Sequence, residues 1–184
     1  EYFGWYDVGG VLEAHAFMPR YSQYRPRVTL LLTHVALDDD LIALRLKIGF
    51  DSDKLKALLA WLNSTLTWSL IEALGRTTGG GMIALEAYRV AELPVIDVRR
   101  LDDVSIKELA KLFDELESRT RLLGGADKRE IIQDLRDVLD EIDRTIVRVL
   151  GLPYEIIERA QKAATLLMER RLARTRRAKH EVVK

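Results

Sequence analysis

The chain has 184 residues, 48% of them hydrophobic and 32% charged, with 29 Lys and Arg against 29 Asp and Glu and no cysteine. That is enough apolar material for a core, and the overall composition does not resemble a disordered tail, although beyond Ala178 such a tail is an alternative. The lack of cysteine excludes disulfides, thiolate nucleophiles and Cys-based metal sites. No apolar run approaches the ~20 residues needed to span a bilayer, and no secretory leader opens the chain. These features fit a cytoplasmic protein. Zero net charge argues against a simple basic nucleic-acid binder, but the charge is uneven. Leu101 to Leu150 carries 13 acids against 9 bases, whereas Gly151 onward carries 4 acids against 9 bases. A neutral chain can therefore hold a basic face. Glu1-Tyr2-Phe3-Gly4-Trp5 has no initiator methionine, so an excised domain is expected.

The first hundred residues read as mixed α/β. Val11 to Met18 predicts a strand. Arg27 to Thr33 predicts a buried one. Leu41 to Ile48 alternates, with Ile42, Leu44, Leu46 and Ile48 on one face and Arg45 and Lys47 on the other. Asp38-Asp39-Asp40 marks a turn. The period then becomes helical. Asp51-Ser52 supplies an N-cap for Leu55, Leu58, Leu59 and Leu62. Asn63-Ser64 interrupts by side-chain capping, and a second run through Leu66, Leu70, Ile71 and Leu74 ends at Gly75. The loop Arg76-Thr77-Thr78-Gly79-Gly80-Gly81 leads to a short apolar segment, Met82 to Leu85, and one more helical turn precedes Leu93-Pro94-Val95.

After Arg100 the pattern is helical. Ser105-Ile106-Lys107-Glu108 reads as a capping box over the stripe Ile106, Leu109, Phe113 and Leu116, closed by Gly124-Gly125. Asp127 to Glu130 should cap a second helix with the stripe Ile131, Leu135, Val138, Ile142 and Val149. Gly151 ends that helix, and Pro153 suits the first turn of a third. The fold class expected is α+β: a small mixed recognition domain over 1–100, then a three-helix bracing region over 101–184. The three helices should pack on each other or on the first half.

Catalytic chemistry is sparse. His15, His34 and His180 have no helical-spaced partner and no H-E-x-x-H setting. There is no P-loop, no G-x-G-x-x-G and no nucleophile elbow. Asp38-Asp39-Asp40 is hydrophilic punctuation before it is a cation site. The triple glycine is either a flexible linker or a loop whose backbone must approach a ligand, with Arg76, Thr77 and Thr78 as donors.

The ordered set Pro19-Arg20, Arg25-Pro26-Arg27-Val28, Leu58-Leu59-Ala60-Trp61-Leu62-Asn63-Ser64, Gly75-Arg76, Gly79-Gly80-Gly81 and Glu92-Leu93-Pro94-Val95 resembles the target-recognition region of adenine-N6 DNA methyltransferases. That group includes bifunctional restriction–modification enzymes and TaqI-like C-terminal domains. The resemblance covers residues 11–98 and extends less specifically into the helical tail. It implies a division of labour. A separate catalytic domain would bind S-adenosylmethionine and act on a flipped adenine through an N-P-P-Y-type motif. Neither that motif nor a cofactor loop occurs in this sequence, so no catalytic residue, cofactor or metal is expected here. The implied partners are double-stranded DNA, the catalytic domain of the same parent chain and other restriction–modification subunits.

On that resemblance Arg20, Arg25, Arg27 and Arg76 would contact phosphates or guanine edges. Thr77, Thr78 and the backbone of Gly79, Gly80 and Gly81 would approach a groove, with Arg45 and Lys47 extending the basic surface. Exposure on a strand edge is the plainer account of Arg25 and Arg27, and helix capping that of Arg89. The cluster Arg170, Arg171, Arg174, Arg176, Arg177 and Lys179 is either a helix end favouring cations or a non-specific phosphate attractor. The helical tail either braces the recognition domain or faces a partner subunit. Competing identities are a specificity-subunit fragment and a helical interaction module that never touches DNA. A DNA reader should gather Arg20, Arg25, Arg27 and Arg76 on one concave face, whereas an interaction module should show an exposed apolar stripe.

Overall fold

Alternation in the first expected strand produces a short central β1, Ala16–Pro19, with Ala16 and Met18 buried and their neighbours half-exposed. The computed structural model describes residues 14–33, 38–45, 51–125 and 127–182. Residues 11–13 and 46–48 of the expected strands, with Lys47, and His34 lie outside them. β1 is flanked by β3 (Thr29–Leu30) and β4 (Leu41–Leu44), antiparallel to both, with Phe17 opposite Thr29 and Ala43. A second antiparallel sheet joins β2 (Tyr21–Ser22), β6 (Ile83–Ala84) and β5 (Arg76–Thr77) in the order β2-β6-β5. Arg20 links the two sheets, its amide donating to Asp40 O and its carbonyl accepting from Leu85 N, both at 2.8 Å.

The expected strand from Arg27 to Thr33 shrinks to Thr29–Leu30 for a specific reason. The buried Asn63 side chain takes both backbone groups of Val28, accepting from its amide at 3.1 Å and donating to its carbonyl at 2.9 Å. A residue whose ladder groups are already satisfied has none left for a neighbouring strand.

α1 (Ser52–Leu62) starts where Asp51 caps Lys54 N at 2.8 Å, and α2 (Thr65–Leu74) starts where Ser64 caps Thr67 N. The expected interruption at Asn63-Ser64 is thus a true helix break. Residues Ala57 to Leu62 are all buried, because α1 is covered by the sheet on one side and by α4 (Asp103–Leu122) and α6 (Arg136–Val149) on others. Gly75 follows α2 with a φ of −73°, so it is not needed for a left-handed turn. It is needed for space, since a Cβ there would lie 2.4 Å from Ile83 Cγ1. α3 (Ala87–Ala91) is the expected extra turn.

Three expected caps are revised. Asp102, not Ser105, caps α4: it accepts from Ser105 N at 2.9 Å and from Ser105 Oγ at 2.7 Å, so the helix begins three residues earlier than the capping box suggested. Asp127 does not cap α5 (Arg129–Asp134). It reaches across the molecule to accept from the amides of Gln23 and Tyr24 at 2.6 and 3.1 Å, groups that the irregular segment after β2 would otherwise leave unpaired. Pro153 precedes the helical start, and α7 runs from Glu155 to Val182. The single helix expected through Ile131 and Val149 breaks at Leu135. Arg119 of α4 donates to the Asp134 carbonyl there and forks onto Asp137 at 2.7 and 2.8 Å, a tertiary interaction that competes with the helical ladder.

The described residues form an α+β fold with two small antiparallel sheets. One continuous apolar core runs from Ala16 to Ile146 and includes Leu109, Phe113, Leu135 and Ile142 of the tail helices beside Met18, Leu59 and Ile71. The boundary expected at residue 100 falls within this core. α7 lies apart from it, packing Ala164, Met168 and Leu172 on Trp68 of α2. Among the described residues no helix is long and apolar enough to cross a membrane.

Candidate nucleic-acid interface

The junction between α1 and α2 is a polar hub inside the apolar core. Asn63 holds Val28, as above, and also donates to Leu59 O at 2.9 Å. Its own carbonyl accepts from Arg25 Nη2 at 2.9 Å. The Arg25 guanidinium stacks on Trp68 with 5.0 Å to the ring centroid. Trp61, two residues before Asn63, donates from its indole to Pro94 O at 3.0 Å. The residues at the centre of the family resemblance are therefore joined physically: Asn63 clips the Arg25–Val28 segment and Trp61 clips the Leu93-Pro94-Val95 segment.

That hub holds one of the residues expected to contact DNA inside the core. Arg25 is only 5% exposed and its guanidinium is turned inward. Burial lowers its pKa, with Asp143 opposing that shift. Arg27 is half-buried, donates from Nη2 to Gly125 O at 2.8 Å at the end of α4, and is likewise lowered by burial. Arg25 and Arg27 line a cleft of about 450 Å³ together with Phe17, Leu116 and Asp127, and neither Arg20 nor Arg76 belongs to its wall. The four arginines thus do not share that concave face.

Asp143 of α6 is wholly buried and accepts from Thr65 N at 2.9 Å, while its Oδ2 has no partner among the described residues. Burial pushes its carboxyl above the usual carboxylate range, against the pull of Arg25. A raised folded-state pKa gives stability that is fully present below the unfolded value and is lost as pH rises through the folded one. Asn at this position keeps the acceptor for Thr65 N and cannot ionise. The stability of Asp143→Asn relative to the parent should therefore improve as pH rises above the ordinary carboxylate value. Chemical denaturation at a series of pH values checks this, and a constant difference would exclude it.

Residues Arg76 to Gly81 form a distinct edge. Arg76 and Thr77 of β5 are exposed, Arg76 lying 3.4 Å from Glu86. Thr78 is half-buried and its hydroxyl donates to Met82 O at 3.1 Å. Gly79, Gly80 and Gly81 make one tight turn, with φ of +83° at Gly80 and +78° at Gly81, a region that disfavours side chains. Gly79 and Gly80 are exposed, and a Cβ on either would meet nothing within 4 Å. Gly81 is buried, and a Cβ there would lie 2.9 Å from Thr175 Oγ1 of α7. Arg45 is exposed just beyond β4.

Arg171 of α7 fixes this turn from behind. It is 4% exposed, forks onto the buried Glu72 of α2 at 2.7 and 3.3 Å, and donates to Gln23 O at 3.0 Å and to Gly81 O. The triple glycine is accordingly an ordered turn with one face against α7 and the other open. Arg171 stood in the sequence as one of six cations, and only the position of apolar Met168 and Leu172 beside it hinted that it points inward. Among the described residues no group of three or more His, Asp or Glu side chains could hold a metal ion. At the expected turn, Asp38 Oδ1 accepts from Asp40 N at 3.0 Å.

The geometry defines a helix-braced α+β module that offers donors from an ordered, one-sided loop. Residues 4–130 match the family of the type II methyltransferase M.Eco57I, C-terminal domain. The match covers more than half of the 184 residues, and the chain belongs to that family. No curated protein and no solved structure matches the chain.

Proposed function

We propose that this chain reads duplex DNA in the cytoplasm on behalf of an adenine-N6, TaqI-like methyltransferase. The catalytic domain of the same parent protein, where S-adenosylmethionine would bind, would act on the adenine that this module positions. Residues 1–100 supply the reading surface, and the helices of 101–184 brace it or meet further restriction–modification subunits. The contact edge is Arg76, Thr77, Thr78 and the open side of Gly79–Gly81; Arg45, exposed beyond β4 of the other sheet, and Arg20 and Arg27 contribute where their guanidinium groups reach the duplex. Arg25 is a structural residue in this reading.

The observation that carries the proposal is the glycine turn, rigid on its inner side and bare on its outer one. A backbone that is ordered before contact loses little entropy on binding, and without side chains it can lie against a groove. Membership of a type II methyltransferase C-terminal family supplies the partner chemistry.

Fluorescence anisotropy with mixed-sequence duplexes at several salt concentrations tests it. Binding should weaken steeply with salt, and Arg76→Ala/Thr77→Ala should reduce affinity about tenfold with the melting temperature unchanged. A folded chain that binds no duplex at the lowest salt overturns the reading.

A further inference from the structure

The basic stretch of α7 divides by helical geometry into groups with different roles. Ala164, Met168, Arg171 and Leu172 face the protein. Arg170 and Arg174, one turn apart on an adjoining face, are exposed. With Thr77, Gly75 and Ile83 they wall a notch of about 130 Å³ between α7 and the β5–β6 pair. The one carboxylate in that wall, Glu72, is neutralised by the forked Arg171. Glu169, next in sequence, is engaged by Arg129 at 2.6 Å.

Arg170 and Arg174 have no hydrogen-bond or ion-pair partner among the described residues. By contrast Arg119, Arg144 and Arg148 each hold a carboxylate. Two unmatched guanidinium groups beside an exposed threonine hydroxyl form a site of phosphate size with the charge of its complement.

We infer that this notch seats one or two backbone phosphates of the same duplex, so that α7 anchors the DNA whose groove the glycine turn approaches. The inference rests on the DNA-reading proposal and adds anchoring residues outside residues 4–130, the region that the family match covers. A phosphate contact carries no sequence information, so its loss should weaken all duplexes alike.

The test compares the 184-residue chain with Arg170→Ala/Arg174→Ala and with Arg76→Ala/Thr77→Ala, in anisotropy titrations against several duplex sequences at several salt concentrations. Because both arginines are exposed and have no partner among the described residues, the first double variant should melt as the parent does. Its slope of log affinity against log salt should fall by about 0.9 to 1.8, about 0.9 for each phosphate that is no longer neutralised, uniformly across sequences. An unchanged slope in a variant that still binds, while Arg76→Ala/Thr77→Ala weakens binding, overturns the α7 anchor and leaves the proposed function standing. A folded parent that binds no duplex overturns the proposed function, and the α7 anchor with it.

Discussion

Arg171→Ala should destabilise the chain by about 3–5 kcal/mol, the range for removing one partner of a buried ion pair. The substitution strands the Glu72 carboxylate, which is 7% exposed as a residue, and removes the donor to Gln23 O and Gly81 O. Urea denaturation reads the loss directly. Much of the penalty is an uncompensated charge and not the worth of the pair, so Glu72→Leu/Arg171→Met should recover a large part of it. A loss below about 1 kcal/mol would mean that the pair behaves as a surface one and that α7 does not clamp the glycine turn.

Arg25→Ala is the second large effect, expected at about 3 kcal/mol or more. It removes a buried cation that donates to Asn63 O at 2.9 Å, stacks on Trp68 and lowers the cost of ionised Asp143. Arg25→Lys should not restore the parent, because an ammonium cannot reproduce the planar stacking of a guanidinium. Melting curves separate this from a surface role. A variant that melts as the parent does and loses DNA affinity would return Arg25 to the contact edge.

Both effects concern residues that look alike in the sequence. Arg25 and Arg27 flank a proline as two cations of a basic segment, and Arg171 is one of six cations near the end of the chain. Side-chain type says what each can bond to. Only the assembled neighbours say which of them is desolvated. Arg25 goes inward because the carbonyl of Asn63 and the Trp68 ring wait there, and both come from sequence positions about forty residues away.

Local features were legible wherever their physics is local. Helical periodicity and nearby caps located α1, α2 and the breaks at Asn63-Ser64, Gly75, Gly124-Gly125 and Gly151. The ordered residues Trp61, Asn63, Gly79–Gly81 and Pro94 pointed to a methyltransferase C-terminal region, and the family match supports that coarser reading. Where partners were distant, the sequence was silent. It did not show that Asp127 would serve the amides of Gln23 and Tyr24, or that Arg119 would divide α5 from α6 at Asp134. It did not show that Asn63 would take Val28 out of its strand either.

By itself, then, the sequence determined the α+β class, the run of helices and the glycine turn, because periodicity, capping and backbone freedom act within a few residues. Tertiary structure decided which cations are structural and which are free. That choice depends on burial and on partners up to about a hundred and fifty positions away, as in the bond from Arg171 to Gln23 O.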